Sequence, residues 1–263
     1  MKSRIIKKIT LVSIYLLLLS NASYAKKNSK LNASKLIDIA GKQRMLSQRI
    51  AKDYIYVGKK IATSKADKEL KASINEFLKI HNELSALITN DEIKNLLDFV
   101  ALSSNELKEI ANKDFTLDNA QLILDLTESM LEGNQYIVDS LKEVHKFKES
   151  NLLEKAAKER MLSQRIAKYY IAYQSGIKDE NTVKSMKDTV KQFAENLDLL
   201  LKNKNNSVEI NKKLKDIEKL WKIVHKFYNN IEKGGLPLIV FNTTDNITKK
   251  MDEVTKLYIQ KNK

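Results

Sequence analysis

The sequence predicts an all-α protein made of two tandem up-down-up-down four-helix bundles that follow a signal peptide. Three observations predict this fold: a composition poor in helix breakers, an internal duplication at a fixed offset, and short turn signals between stretches of helical periodicity. The 263 residues include only 6 Gly and 1 Pro, too few for the many tight turns of a β-sandwich or barrel. Hydrophobic residues make up 43% and charged residues 30%, which is typical of a folded chain and not of a disordered or multi-pass membrane protein.

The first 25 residues have the parts of a secretory signal peptide. A basic start is followed by the apolar run Ile9 to Leu19, and the small residues Ser23 and Ala25 precede a cleavage point. A run of about 11 residues is short of the roughly 20 that span a bilayer, so cleavage after Ala25 is favoured over a retained anchor. We therefore expect a soluble periplasmic protein whose charge of +14 is a solvated lysine-rich surface and not a nucleic-acid-binding face.

Nine consecutive residues occur twice in the chain. The sequence RMLSQRIAK runs from Arg44 to Lys52 and returns unchanged from Arg160 to Lys168, displaced by 116 residues. The same offset pairs apolar positions far from this nonapeptide, such as Phe77 with Phe193, so the repeated unit is a domain and not a short motif. We predict a first bundle at 30–149 and a second at 150–263.

Turn signals divide each copy into four helices. The signals of the first copy lie at Thr63 to Asp67, Thr89 to Asp91 and Asn112 to Thr116. Those of the second copy lie at Asp179 to Asn181, Asn203 to Ser207 and Lys233 to Pro237. Trp221 and His81 fall on apolar stripes, and we expect the first in the core and the second at its edge.

The helix that carries the nonapeptide has a second face besides its core stripe. At about 100° per residue this seam contains small residues, with Arg44, Ser47 and Gln48 at its centre and Gly41 beside them. The second copy rebuilds the seam around Arg160, Ser163 and Gln164. Small residues allow close helix approach, and arginine holds oxyanions with a planar fork of donors. The seam therefore predicts a helix–helix interface with an anion-binding pocket.

The arginines are confined to the repeated segment. Apart from Arg4, the chain has arginine only at positions 44, 49, 160 and 165. Arg49 and Arg165 lie about 140° around the helix from the seam, so they are secondary ligand candidates or pair with acids inside their own bundles. With 0 Cys and three scattered His residues, no metal site is predicted, and no catalytic constellation or cofactor motif is recognisable.

The segment Ala40 to Lys52, AGKQRMLSQRIAK, resembles the signature of the type IV pilus methyl-accepting chemotaxis transducer N-terminal domain, the PilJ-type module, which is similar to the NarX-type nitrate/nitrite sensor domain. The resemblance covers both copies. It implies a four-helix bundle that dimerises through its first helix, with one arginine of each protomer holding an anion at the two-fold axis. By position these arginines are Arg44 and Arg160, with Gly41 and Ser47 beside the anion, and the second copy has Ala157 in place of Gly41.

Two functions follow as expectations. The first is an extracytoplasmic protein that binds or senses a small oxyanion such as nitrate or nitrite between its two copies, lacks its own output domain, and acts through a membrane-bound sensor kinase or chemoreceptor. The second is an adaptor whose seam binds a partner's helix without a small ligand. A sharp turn near Glu149 to Asn151 would place the bundles side by side; a continuous helix there would stack them end to end, and a homodimer would then have to bring the arginines together.

Overall fold

The computed structural model describes residues 35–146 and 151–261, and all regular secondary structure in these ranges is helical. The predicted signal peptide lies outside the described residues, as do Glu149 and Ser150 at the predicted junction. The fold class is the one predicted, all-α with helical bundles. Within the described ranges, no helix combines the length and the apolarity needed to cross a bilayer.

In residues 35–146 and 151–261, eight α-helices follow one another in two groups of four. The helices of the first group are α1 (35–58), α2 (Thr63–Leu87), α3 (Asp91–Ala111) and α4 (Leu117–Val144). Those of the second group are α5 (Asn151–Ser175), α6 (Glu180–Lys202), α7 (Val208–Asn229) and α8 (Pro237–Lys261), with a short 3-10 turn at Ile231–Lys233 before α8. Short connections make consecutive helices antiparallel neighbours.

Most of the predicted turn signals are helix caps. A side-chain oxygen of the residue before the helix accepts a hydrogen bond from a first-turn backbone N–H at the starts of α3, α4, α6 and α7, and the residues that do so are Asn90, Thr116, Asp179 and Ser207. The predicted end of the first helix at Thr63 to Asp67 is wrong. Helix α1 ends at residue 58, and Asp67 lies inside α2.

Left-handed residues end three helices. Lys60 after α1 has φ 56°, Lys146 after α4 has φ 49°, and Gly176 after α5 has φ 115°. The ends of α1 and α5 share one pattern of backbone hydrogen bonds, because Ile61 N–H donates to Tyr56 C=O at 3.0 Å and Ile177 N–H donates to Ala172 C=O at 3.0 Å. A left-handed residue at position 146 also stops α4 and excludes one continuous helix through the junction.

Each group of four helices has its own core contacts. Helix α1 contacts α2 through Gln43, and α5 packs against both α6 and α8. Trp221 is buried with its ring 4.4 Å from that of Phe193, so the predicted core position is confirmed. His81 is buried beside Phe77, as expected of a core-edge histidine, and burial lowers its pKa.

The two groups lie side by side and share an extensive interface. Tyr56 of α1 donates its hydroxyl hydrogen to the backbone carbonyl of Pro237 in α8 at 2.9 Å. Arg165 of α5 pairs with Glu128 of α4. Of the two arrangements left open by the sequence, the structure has the one in which the nonapeptide helices of the two copies approach each other within one chain.

Candidate functional site

Arg44 and Arg160 line one cavity between the two copies. The cavity has a volume of about 20 Å³, which is room for about one water molecule. Both arginines are almost fully buried, at 7% and 2% exposure. The lining residues come from α1, α4, α5 and α8, and they are Ile37, Asp38, Gly41, Arg44, Val138, Leu153, Glu154, Ala157, Arg160 and Ile259.

Arg160 is held between two carboxylates. Its Nη1 lies 2.8 Å from Asp252 Oδ1 of α8, and its Nη2 lies 2.9 Å from Asp38 Oδ1 of α1. Burial alone would raise the pKa of Asp252, but hydrogen bonds from Lys256 and Arg160 hold that pKa below its ordinary value. The positive charge of this guanidinium is therefore compensated by the protein itself, and one of the two compensating groups belongs to the other copy.

Arg44 has a different environment. Its Nη1 donates to the side-chain amide oxygen of Gln135 in α4 at 2.5 Å. A Cβ atom added to Gly41 would come within 3.2 Å of Arg44 Nη2, so the glycine leaves this guanidinium the space that it occupies. Ala157, which the sequence places at the matching position of the second copy, also lines the cavity.

The four auxiliary ligand candidates do not line this cavity, which corrects that part of the prediction. The hydroxyls of Ser47 and Ser163 donate to the backbone carbonyls of Arg44 and Arg160 one turn earlier. Gln48 donates to the carbonyl of Thr127. Side chains three and four residues beyond an arginine lie one turn further along the helix, where hydrogen bonds within their own copy satisfy them.

In the second copy, Gln164 also lies one turn beyond the arginine and forms hydrogen bonds there. Its amide donates to Thr248 Oγ1 at 2.7 Å and to Asp245 Oδ1 at 3.2 Å. Both acceptors belong to α8. The arginines and Gly41 are thus the predicted site residues that the structure brings together at the cavity, whereas both serines and both glutamines stabilise helix contacts.

One family model matches the chain. Residues 27–96 match the PilJ model, described as the N-terminal domain of type IV pili methyl-accepting chemotaxis transducers. This segment is therefore similar to PilJ-type domains. The matched residues include α1 and α2, the predicted resemblance is confirmed for them, and the family is one of non-catalytic, extracytoplasmic sensory domains. No curated protein and no solved structure shows a match to the chain.

Arg165 corrects the expectation that the outer arginines pair inside their own bundles. Its Nη2 lies 2.5 Å from Glu128 Oε2, and its Nε lies 3.3 Å from Glu128 Oε1. Glu128 belongs to α4 in the first copy, and Arg165 belongs to α5 in the second. Arg49, at the matching position of α1, lines a groove with Asp245 of α8 and contributes to lowering the pKa of that carboxyl.

Sequence reasoning missed the lysines that end each nonapeptide. Lys52 is fully buried, with its ammonium 2.5 Å from Asp245 and 3.2 Å from Asp53. Lys168 is also fully buried and pairs with Glu128 across the interface. The signal was available, because these lysines belong to the repeated segment as much as the arginines do.

The two acids that receive these cations have depressed pKa values. Burial would raise the pKa of Glu128, but Lys168 and Arg165 lower it to about 2. Lys52 depresses the pKa of Asp245 in the same way, against the opposite effect of burial. Each copy therefore places a buried lysine on one carboxylate of the other copy's fourth helix, and the second copy adds Arg165 to Glu128.

Asp53 is the exception in this network. It is fully buried beside Lys52, and burial raises its pKa to about 7 despite the opposing charge of that lysine. The second copy has Tyr169 at the matching position. The described residues contain no group of three or more metal-ligating side chains that could hold a metal ion.

Proposed function

We propose that this protein is an extracytoplasmic sensory module in which two PilJ-type copies imitate a receptor dimer and hold a small oxyanion, such as nitrate or nitrite, between Arg44 and Arg160. The observation that carries the proposal is that these two guanidinium groups, from separate copies, line one cavity on the interface. Arginine suits such an anion because its fork of donors matches the geometry of oxygen atoms. A membrane-bound chemoreceptor or sensor kinase would read the bound state.

The cavity represents a closed state in this proposal. A volume of about 20 Å³ accepts a water molecule but not a nitrate ion. The Asp38 carboxylate, which lies 2.9 Å from Arg160, would occupy the place of the anion. Asp38 is about one-third exposed, so it can move to solvent, and Asp252 would remain on Arg160 when it does. The ligand would thus exchange one α1–α5 contact for its own.

The experiment is a titration of the full mature chain with nitrate and nitrite, in which binding is measured by calorimetry and by thermal shift. Replacing Asp38 with Asn removes the competing carboxylate, so we expect affinity to rise about tenfold, the effect of one charge-assisted hydrogen bond. Asp67→Asn is the matched control, because it makes the same charge change at an exposed carboxyl paired with Lys71. We expect the control to bind like the wild type.

The double substitution Arg44→Ala and Arg160→Ala should abolish the response to either anion. Equal titration curves for wild type, Asp38→Asn and the double variant would refute the site. A chain that binds no anion, yet co-purifies with a receptor, would favour the adaptor function. The seam is a poor surface for that partner, because Ala40, Ser47 and Ala51 are fully buried within the chain itself.

A further inference from the structure

The internal duplication produces two matching grooves at the edges of the interface, and Arg160 of the arginine cavity also lines the first of them. One has a volume of about 430 Å³ and is lined from α1 by Lys42, Met45 and Arg49. The other has about 560 Å³ and is lined from α5 by Lys158, Met161 and Arg165, which are the residues 116 positions later. Both volumes are in the range of small-molecule sites.

The two lysines differ in their partners. In the first groove, Lys42 forms an ion pair with Glu76 of α2, and this carboxylate compensates the charge of the lysine. The residue 116 positions after Glu76 is Gln192, which lines the second groove beside Lys158. Among the described residues, no carboxylate oxygen lies within 4 Å of the Lys158 ammonium group. The lysine of the first groove is therefore ion-paired, whereas the matching lysine of the second groove has no carboxylate partner among the described residues.

The surroundings of Lys158 are predominantly positive. Burial lowers its pKa, and the nearby charge of Arg44 lowers it further, with smaller contributions from Lys155 and Arg165 and an opposing one from Glu154. Glu128 is already engaged by Arg165 and Lys168. Glu132, at the exposed edge, is the other acid that lines the groove. An anion beside Lys158 would therefore gain from several cations at once.

The remaining lining adds hydrogen-bond donors and an apolar wall. Gln135 and Gln192 supply side-chain amides, and Gln192 is half-buried. Leu131 and Met161 are buried with only their edges accessible, and Tyr136 is exposed at the rim. A ligand that satisfies both parts carries one carboxylate on a small apolar body.

We propose that the groove between α4, α5 and α6 is a binding site for a small organic monocarboxylate, with Lys158 holding the carboxylate group and Met161 contacting the apolar body. This site is separate from the arginine cavity of the proposed function and does not depend on it. Its selectivity would arise from divergence between the copies, since the matching lysine of the first groove, Lys42, is already ion-paired with Glu76.

The test uses the full mature chain with ¹³C-labelled methionine methyl groups and benzoate as the probe. Met161 lines the proposed site and Met45 the matching groove, so the two methyl signals form an internal comparison. We expect benzoate to shift the Met161 signal in a saturable way and to leave the Met45 signal unchanged. Acetate, which has the carboxylate without the apolar body, should bind more weakly.

Two substitutions remove the free cation by different routes. Lys158→Gln deletes the charge, and Gln192→Glu gives Lys158 the carboxylate partner that Glu76 gives Lys42. Each should weaken benzoate binding by about tenfold or more, the effect of losing a hydrogen bond to a charged group. Lys42→Gln is the matched control, and benzoate affinity should stay within about twofold of the wild type.

The proposal is overturned if benzoate shifts both methionine signals alike, if its affinity survives Lys158→Gln and Gln192→Glu, or if millimolar benzoate shifts neither signal. Failure of nitrate to bind would contradict only the arginine site, because benzoate binding is measured at a different methyl group. Competition of nitrate against benzoate at the Met161 signal would show that the two sites are not independent and would overturn the separate groove.

Discussion

The partners of single buried charged residues determine whether this interface can bind an exogenous anion. Arg160 lies between two carboxylates, whereas Arg44 donates to the neutral amide of Gln135. A buried guanidinium already paired with carboxylates can take an exogenous anion only if one of them leaves. In the proposed site, the displacement of Asp38 from Arg160 therefore sets the energetic threshold for a ligand.

Glu159 is a buried residue at which the second copy differs from the first. It is fully buried, and burial raises its pKa well above the ordinary value, although Asn196, Lys155 and Lys158 nearby act in the opposite direction. The first copy has Gln43 at this position, where the amide donates to the backbone carbonyl of Phe77. A neutral amide is thus compatible with the same helix contact.

We predict that Glu159→Gln raises the free energy of unfolding at neutral and mildly alkaline pH by about 1–3 kcal/mol, the cost of a poorly satisfied buried polar group. The raised pKa means that Glu159 favours the folded state fully only below the ordinary carboxyl value. That contribution is lost as the pH rises through the raised folded-state pKa. In urea denaturation from pH 4 to pH 8, the unfolding free energies of the variant and the wild type should converge at the acidic end.

Glu195→Gln serves as the control for this prediction. Glu195 is exposed on the same helix pair, and the substitution removes the same charge from the second copy. It should change the unfolding free energy by less than about 0.5 kcal/mol at either end of the pH range. A wild-type protein that is as stable as Glu159→Gln at pH 8 would contradict the assignment of a strained carboxyl.

At the scale of the helix, the ends of α1 and α5 share one hydrogen-bond pattern built from different residues. The left-handed position after α1 is Lys60, and the one after α5 is Gly176, 116 residues later. A residue with a Cβ atom is strained there, whereas glycine is not. The first copy therefore carries a strained terminus that the second copy relieves.

Lys60→Gly is expected to stabilise the protein by about 0.5–1 kcal/mol, because the relief of left-handed strain exceeds the added flexibility of the unfolded chain. Gly176→Ala should destabilise it by a similar or larger amount. Both are measured by urea denaturation. Lys59→Gly, one residue earlier, should be neutral or destabilising, and a gain there equal to that of Lys60→Gly would point to a surface-charge effect instead.

At the scale of the whole molecule, crossed ion pairs bind the two copies together. Arg165 and Lys168 of α5 pair with Glu128 of α4, and Lys52 of α1 pairs with Asp245 of α8. Lys52 and Lys168 are fully buried, so neither has water as an alternative partner. Removing one partner of such a buried pair leaves an uncompensated charge and costs more than the pair itself contributes.

Glu128→Gln should therefore lower the free energy of unfolding by about 3–5 kcal/mol at pH 7. It should also uncouple the copies. Trp221 is the one tryptophan of the chain and belongs to the second copy, so its fluorescence reports that copy, whereas circular dichroism reports all helices. Urea transitions followed by the two signals should coincide in the wild type and separate in the variant.

The pH dependence of this effect has a definite sign. The pKa of Glu128 is lowered to about 2, so its stabilising contribution is present above the ordinary carboxyl value of 4.5 and is lost as the pH falls towards 2. Wild type and Glu128→Gln should accordingly converge at acidic pH. Glu132→Gln, one turn along α4, is the control, and an equal loss of stability in this variant would refute the interface assignment.

The amino-acid sequence by itself determined the secondary structure and the presence of a repeat, because these depend on local rules. Helix caps such as Asn90 and Ser207 satisfy orphan N–H groups within three residues, so a turn signal is visible in a few letters. The end of α1 was not predicted correctly. Lys60 adopts a left-handed conformation there, and this position lacks the glycine that would have marked the end of the helix.

Only the tertiary structure decided which carboxylate pairs with which buried cation. Asp38 and Arg160 are 122 residues apart, and no local pattern pairs them. Glu128 and Asp245 play matching roles but are separated by 117 positions and not 116, so a comparison at the repeat offset misses them. Charge compensation in a low-dielectric interface depends on distances of a few ångströms between distant helices, and those distances arise only when the two copies pack together.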